Sequence, residues 1–377
     1  MRAKTYTLAF LILIMSVILL FTTFSFVHAE EIESSALGME VIESSTERVL
    51  YSRNSLVKRP MASTTKICTA ITAIEHCDNL DKIVTVPDKA VGVEGSSIYL
   101  TRGEKVKIID LLYGLMLQSG NDCAVALAIT VGGSVEDFAA LMNETAEKAG
   151  ATDSHFVNPH GLHDDNHYTT AHDLALITAY AFRNEVFEKI VATKSHVMHS
   201  EGREYPRTIV NKNKILSTYE GGDGVKTGYT KKAGRCLVSS AKRNGMRIIA
   251  VTLNCGPMFE ECARLMDKAF EEYSMYKLID PISSECEIAV ENGKRESVTV
   301  GINNELYYPL KSDEVGNITY SSTLPDRVSA PLNKGDEVGD LEISLENQLL
   351  FSEKFYIMDD VARPDLWDKV QDIIREW

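Results

Sequence analysis

The stretch "MASTTKICTAITAIE", residues 61–75, decides the fold because it joins a small polar cluster directly to an apolar run. Four apolar residues of this run recur at the spacing of one helix face: Ile67, Ala70, Ile71 and Ile74. Ser63 and Lys66 stand at i and i+3, so both side chains project from the same face at the amino-terminal end of a buried helix. A buried amine with a lowered pKa can remove the proton of a serine hydroxyl, although a Ser-X-X-Lys match by itself often arises by chance.

Length, composition and charge limit the possible number of domains and the possible partners. The 377 residues exceed the length over which one hydrophobic core usually extends, so we expect two domains, and 44% hydrophobic residues suffice to pack them. The formal net charge of −15 argues against nucleic acid as a partner. Seven cysteines show neither zinc-knuckle spacing nor a compact disulfide framework, and we expect several of them to be small core residues.

Residues 1–29 have the pattern of an export signal. Arg2 and Lys4 precede an apolar stretch over residues 8–21, and Val27-His28-Ala29 ends with small residues at the two positions that a signal peptidase reads. The alternative is an uncleaved membrane anchor, for which the apolar run is short. Both interpretations predict that the rest of the chain works outside the cytoplasm.

The pattern of the chain predicts a first domain over residues 30–277, which would include the Ser63 and Lys66 cluster. Residues 38–54 have the pattern of two short strands, and later segments have the pattern of strands joined by an Asn-Gly turn at 242–245. Buried helices lie between them, with the polar break "SGND" separating a helix that ends near Met116 from one that resumes at Ala124. We therefore expect a sheet with strands from both ends of this domain and helices inserted between them.

Short alternating runs between Gly, Asn, Asp and Pro turns predict a small all-β domain over residues 281–358. The final segment, 359–377, is predicted to be amphipathic, with one apolar helical face: Leu366, Trp367, Val370, Ile373, Ile374 and Trp377. This segment could make a peripheral membrane contact or pack on the protein. Acidic residues outnumber basic ones in it, so anionic lipid should repel it.

Two further clusters carry functional groups. Ser119-Gly120-Asn121 stands in the polar break, where a hydroxyl can relay a proton and an amide can hold Lys66 or a substrate carbonyl; the alternative is a helix cap. Lys226-Thr227-Gly228 stands on a predicted strand and can hold a carboxylate; the alternative is a surface strand with a lysine. Ser-X-X-Lys, Ser-X-Asn about fifty residues on and Lys-Thr-Gly about a hundred later together match penicillin-interacting serine enzymes.

Four longer segments carry a resemblance to one family: "KRPMASTTK", "LMLQSGNDCAVALA", "HFVNPHGLHDDNHYTTAHDLA" and "DGVKTGYTKKAGRCLVSSA". From Ala36 to about Ile357 the chain resembles the low-molecular-weight D-alanyl-D-alanine carboxypeptidases of bacterial cell walls. The resemblance implies an α+β fold: a β-lactamase/transpeptidase-like domain, in which helices and a helical insert flank an antiparallel sheet, followed by a small all-β domain. It also implies removal of the terminal D-alanine from peptidoglycan stem peptides through an acyl-enzyme, binding of β-lactam antibiotics, and no cofactor.

The resemblance implies a role for each motif residue. Ser63 would be the acylated nucleophile and Lys66 the general base. Ser119 would relay a proton, and Asn121 would orient the substrate. Four strand residues would bind substrate, the first two by anchoring the terminal carboxylate: Lys226, Thr227, Gly228 and Tyr229. The backbone N–H groups of Ser63 and Tyr229 would form the oxyanion hole.

Other functions share these motifs. A class A β-lactamase needs a Glu-X-X-Leu-Asn loop for deacylation, and the sequence between Asn121 and Lys226 has none. A catalytically dead peptidoglycan-binding protein would be expected to have lost Ser63 or Lys66. D,D-endopeptidase activity on cross-links stays open. The family often carries an arginine after the last sheet strand, where this chain offers only Arg264, which leaves an extra guanidinium contact to the carboxylate in doubt.

Several histidines crowd one region: His155, His160, His163, His167 and His172. The spacing in "HGLH" is tolerable for zinc, but no HExxH motif or cysteine partner accompanies it. The resemblance implies a loop motif here instead, so we predict no metal site.

Overall fold

The computed structural model describes residues 30–201, 203–368 and 370. They form two compact units, and the boundary falls between Met275 and Tyr276. The predicted domain limits, 30–277, 281–358 and 359–377, stay predictions. The proposed export signal, residues 1–29, lies outside the described residues.

The first unit is organised around a six-stranded sheet in the order β1-β3-β2-β10-β9-β8. Two smaller two-stranded sheets, β4-β5 and β6-β7, accompany it. The strands of the unit are β1 Glu30–Glu31, β2 Gly38–Glu43, β3 Val49–Arg53, β4 Ile83–Thr85, β5 Lys105–Lys107, β6 Ser195–Met198, β7 Arg207–Val210, β8 Gly222–Thr230, β9 Gly234–Arg243 and β10 Met246–Leu253. The pairs from β2 to β8 are antiparallel. Strands from both ends of the unit therefore share one sheet, as predicted, and β8 forms its edge.

The helices of this unit are α1 Lys66–Glu75, α2 Ile108–Leu117, α3 Asn121–Gly132, α4 Val135–Lys148, α5 Ala171–Phe182, α6 Glu185–Ala192, α7 Ile215–Thr218 and α8 Met258–Glu272. Every residue of α1 from Lys66 to Ile74 is buried, so the single apolar stripe predicted for it was too narrow. The reason is that α1 packs against five other helices: α2, α3, α4, α5 and α6.

The helix predicted to resume at Ala124 begins three residues earlier, at Asn121. Asp122 in its first turn looked like a loop residue, but its carboxylate accepts backbone N–H groups from Ile98 and Leu100 and a hydrogen bond from Ser97. A polar residue can therefore be buried in a helix when another segment supplies its hydrogen-bond partners.

The sheet separates two cores, because side chains alternate across a strand. Along β10, Ile249 and Val251 pack with the helices on one face, whereas Ile248 and Ala250 pack beneath α8 on the other. The predicted hairpin is present: Asn244 and Gly245, both at positive φ, turn β9 into β10. The site described below lies at the open edge, where β8 meets α1.

The second unit is all-β, as predicted. Its strands are β11 Tyr273–Ile279, which crosses the boundary, β12 Cys286–Glu291, β13 Ser297–Gly301, β14 Leu306–Lys311, β15 Ile318–Thr323, β16 Arg327–Ser329, β17 Glu337–Leu345 and β18 Gln348–Ile357. Six of them form a sheet in the order β15-β17-β18-β13-β12-β16. Val300, Ile343 and Ile357 lie in its core.

The cysteines have the places in the core that the sequence predicts for several of them. All seven cysteines are unpaired thiols, and five are buried core residues: Cys68, Cys123, Cys236, Cys255 and Cys262.

Across the described parts of the chain, no single helix is both long and apolar enough to cross a membrane. Helices α3 and α4 together meet these criteria, but an 86° bend separates them.

Candidate active site

Ser63 and Lys66 meet at the entry to α1. Ser63 is half-buried in a single 3₁₀ turn, Ala62–Thr65, which leads directly into the helix. Lys66 Nζ lies 3.1 Å from Ser63 Oγ, 2.7 Å from Asn121 Oδ1 and 2.6 Å from the carbonyl oxygen of His160. The structure thus brings the first two predicted clusters together around one amine.

The surroundings of Lys66 favour a neutral amine. Its side chain is fully buried, and burial, assisted by the positive charge of Lys226, holds the pKa of Lys66 well below its usual value. A neutral amine has two N–H donors and one lone pair. The two oxygens of Asn121 and His160 accept the N–H groups, which leaves the lone pair free to accept the hydroxyl proton of Ser63.

The His160 carbonyl is held in place by the Pro159–Gly161 segment. Thr69 Oγ1 donates to the carbonyl oxygen of Pro159 at 2.7 Å. Gly161 has φ +85°, and a Cβ there would stand only 1.9 Å from the carbonyl oxygen of Ala62. This contact requires glycine. His160 and Gly161 both lie in the segment "HFVNPHGLHDDNHYTTAHDLA", but the sequence motifs did not indicate a role for either in the site.

His167 fixes the turn that carries Ser63. The backbone N–H of Val157 donates to His167 Nδ1, so His167 Nε2 carries the proton and donates to Thr65 Oγ1 at 2.8 Å. Thr65 Oγ1 in turn donates to the carbonyl oxygen of Ala62. Burial lowers the pKa of His167 to about 3, so the imidazole is neutral. Within the described ranges, no three His, Cys, Asp or Glu side chains are grouped so as to hold a metal.

The Ser119–Asn121 loop joins α2 to α3. Ser119 is buried at φ +63°, and its hydroxyl has no hydrogen-bond partner among the residues that the structure describes. Asn121 binds the neighbouring loop through the carbonyl oxygens of Glu94 and Ser96. Gly120 is the residue that caps α3, without any side-chain capping bond. The helix-cap interpretation of Ser119 and Asn121 was therefore wrong.

The third cluster lies on β8. Lys226 is 2% exposed and donates to the carbonyl oxygen of Thr227, so the surface-lysine interpretation was wrong. Burial and the charge of Lys212 lower the pKa of Lys226 to about 7. Gly228 packs on the turn of α1, where a Cβ would lie 3.0 Å from the backbone nitrogen of Ser63. Thr227 is half-buried, whereas the Tyr229 side chain is 65% exposed.

Two basic residues outside the three motifs, Lys212 and Arg264, both donate to backbone carbonyl oxygens. Lys212, which the sequence motifs did not indicate, donates to the carbonyl oxygen of Gln118 beside Ser119 at 3.0 Å and adds a second positive charge near the site, besides that of Lys226. Only its position in the fold reveals it. Arg264 binds Glu261 and the carbonyl oxygen of Glu33 and thus has other partners.

The chain is similar to known proteins of one family. The D-alanyl-D-alanine carboxypeptidase model matches residues 25–256. The D-alanyl-D-alanine carboxypeptidase DacF of Bacillus subtilis is 30% identical over 359 residues, which cover 93% of this chain and 92% of the relative. The chain belongs to the D-alanyl-D-alanine carboxypeptidase family. It is therefore a serine hydrolase, and the predicted family and enzyme class are confirmed.

The second unit and the solved structures agree with this family. Residues 270–363 match the penicillin-binding protein 5 C-terminal domain. Penicillin-binding protein 5 from Haemophilus influenzae superposes with a TM-score of 0.73 at 26% identity, covering 88% of this chain and 99% of that one. The carboxypeptidase DacD from Francisella tularensis gives 0.68 at 27% identity, covering 92% and 98%. The predicted fold class is thereby confirmed.

Proposed function

We propose that this protein removes the terminal D-alanine from peptidoglycan pentapeptide stems through an acyl-enzyme on Ser63. The observation that carries the proposal is the buried Lys66 amine, 3.1 Å from Ser63 Oγ, with its N–H groups bound elsewhere. An isolated serine hydroxyl is a poor nucleophile, and an adjacent neutral amine activates it by accepting its proton. The family membership supplies the substrate class.

Acylation begins when the lone pair of Lys66 takes the hydroxyl proton of Ser63. Ser63 Oγ then attacks the carbonyl carbon between the last two D-alanine residues. The bond to the leaving nitrogen breaks, and the proton held by Lys66 reaches that nitrogen with Ser119 as relay. Free D-alanine departs, and an ester remains on Ser63. Water then hydrolyses this ester, with the Lys66 and Ser119 region as its general base.

Substrate binding is proposed for β8 and the turn of α1. The Lys226 ammonium and the Thr227 hydroxyl hold the terminal carboxylate through charge-assisted hydrogen bonds. Backbone N–H groups of Ser63 and Tyr229 stabilise the oxyanion, and Gly228 allows the two segments to approach closely. Asn121 orients the substrate amide while it holds Lys66.

We further propose that the protein is exported and acts in the cell wall or at the outer face of the cytoplasmic membrane, because its substrate lies there. Residues 1–29 would direct this export. β-Lactam antibiotics would acylate Ser63, since their ring carbonyl and carboxylate mimic the substrate. The C-terminal segment would make a peripheral membrane contact.

The Ser63→Ala variant tests this proposal. We expect it to lose both D-alanine release from a pentapeptide stem and covalent labelling by a fluorescent penicillin, because it lacks the hydroxyl that Lys66 activates. Ser217→Ala, an exposed serine on α7, is the matched control and should behave as wild type. Labelling of the Ser63 variant at the wild-type rate would refute the assignment.

The lifetime of the penicillin adduct separates a carboxypeptidase from a β-lactamase. Released D-alanine opens space for water, whereas a ring-opened penicillin keeps its leaving amine tethered over the ester. Without a Glu-X-X-Leu-Asn loop, the adduct on Ser63 should outlast many peptide turnovers. Intact-mass spectrometry over time measures this, and rapid catalytic loss of the adduct would indicate a β-lactamase.

A further inference from the structure

A cavity of about 800 Å³ lies beside the proposed active site at the end of the β8–β9 hairpin. Residues that line it include Lys214, Tyr229, Arg235, Pro257, Phe259 and Glu260. Gly228 packs directly on the turn that carries Ser63, and the next side chain, that of Tyr229, lies on the other face of this edge strand, in the lining of the cavity. The side-chain roles proposed above leave this cavity unused.

The direction of the substrate along β8 assigns the cavity to one side of the scissile bond. The terminal carboxylate is held at Lys226 and Thr227, and the scissile carbonyl at the N–H of Tyr229. A peptide that follows this strand continues past Tyr229 with the residues on the acyl side of the bond. Arg235 pairs with Tyr229 across the hairpin, so its side chain lies on the same face of the sheet as that of Tyr229 and lines the same cavity.

The charge around the cavity is opposite to that of the protein. The chain has a net charge of −15, yet Lys214 and Arg235 line the cavity, and Lys231 and Lys232 form the adjoining turn. Against these four exposed cations the lining contributes one carboxylate, that of Glu260. Within the described part of the chain, none of the four cations forms an ion pair with an acidic side chain.

Two contacts hold the cations at the cavity. Arg235 Nη1 donates to the carbonyl oxygen of Gly256 at 3.2 Å, which leaves the other N–H groups of the guanidinium available. Lys214 Nζ lies 5.8 Å from the centre of the Phe259 ring. With Pro257 and Phe259 as walls, the cavity suits a short aliphatic chain that ends in an anion.

We propose that this cavity is a subsite for a side-chain carboxylate on the stem residue immediately before the two D-alanines, with Arg235 and Lys214 as its ligands. The inference rests on the proposed carboxypeptidase function and adds to it a specificity for acidic stems. It concerns the acyl part of the substrate and is separate from recognition of the terminal carboxylate by Lys226.

A pair of near-isosteric peptides tests the subsite. Acetyl-X-D-Ala-D-Ala is prepared with X as 2-aminoadipate or as its side-chain amide, and D-alanine release gives kcat/KM for each. We expect the wild-type enzyme to prefer the carboxylate about five- to tenfold at low salt, a preference that 1 M salt should weaken. Arg235→Gln should reduce the ratio below about twofold, whereas Glu260→Gln should increase it by removing the opposing charge.

Lys242→Gln is the matched control, because Lys242 is an exposed cation at the far end of β9. It should keep the wild-type ratio. Equal kcat/KM for both peptides in the wild type, or an unchanged ratio in Arg235→Gln, would overturn the subsite while the carboxypeptidase activity stands. Failure of folded wild-type protein to release D-alanine from either peptide would overturn the proposed function, and the subsite with it.

Discussion

Lys66 and Lys226 are both buried lysines of the site, yet the proposal requires opposite protonation states. Lys66 must be neutral to accept a proton, and its pKa is lowered by burial and by the charge of Lys226. Lys226 must be charged to hold a carboxylate, and burial lowers its pKa to about 7. The two requirements support each other, because a charge on Lys226 disfavours a second charge on Lys66.

The pKa of Lys226 makes recognition of the terminal carboxylate depend on pH. Lys226 is protonated below about pH 7 and loses its charge as the pH rises through that value, while the peptide carboxylate stays ionised. We expect the ratio of kcat/KM for a free-acid peptide to that for its carboxy-terminal amide to fall above pH 7. Because Lys66 acts on both peptides alike, its titration cancels in this ratio.

Lys226→Arg supplies the control for the pH experiment. A guanidinium stays charged throughout this range, so the ratio for this variant should remain level to about pH 9. Steady-state kinetics between pH 5.5 and 9 measure both enzymes. A wild-type ratio that does not change with pH would contradict the assignment of Lys226, as would an identical fall in the arginine variant.

Between elements, the contact of the Pro159–Gly161 segment with the turn that carries Ser63 requires glycine at position 161. Gly161→Ala would bring a Cβ 1.9 Å from the Ala62 carbonyl oxygen, so the turn that carries Ser63 must shift. We expect the free energy of unfolding to fall by about 1 to 3 kcal/mol and penicillin acylation to slow at least about tenfold. Chemical denaturation and labelling rates measure these effects.

Gly92→Ala is the control that separates the cost of a positive φ from the effect of the Gly161 contact on the site. Gly92 also has a positive φ, of +76°, but a Cβ there meets nothing within 4 Å. It should therefore cost only about 1 kcal/mol of stability and leave acylation unchanged. Equal acylation defects in the two variants would mean that the Gly161 contact has no special role.

In the whole molecule, the last segment presents apolar side chains to solvent. Leu366, Trp367 and Val370 are exposed, at 83%, 76% and 42%. Asp365 and Asp368 bind Lys294 of the same unit, which fixes the start of the segment. Ile373, Ile374 and Trp377, the rest of the predicted apolar face, lie outside the described residues.

The proposed membrane contact predicts binding to neutral rather than anionic vesicles. Exposed apolar side chains favour the interface, but the acidic residues of the segment are repelled by anionic lipid. In co-sedimentation, the full-length mature protein should bind phosphatidylcholine vesicles more strongly than phosphatidylglycerol vesicles. Leu366→Ser combined with Trp367→Ser should abolish binding, whereas Leu349→Ser, at an exposed leucine (53%) outside the segment, should not. Binding that survives the double substitution would exclude this contact.

The motifs and the periodicity of the sequence determined the family, the fold class and the eight residues proposed for the site, because hydrophobic spacing and functional side chains are local properties. They did not reveal the carbonyl of His160 that takes one N–H of Lys66, the neutral His167 beneath the Ser63 turn, Lys212, or the cations at the cavity beyond Tyr229. These features depend on which distant segments come within hydrogen-bonding distance. Burial and charge around a side chain arise only when the chain is packed, so the pKa shifts of Lys66 and Lys226 were decided by the tertiary structure.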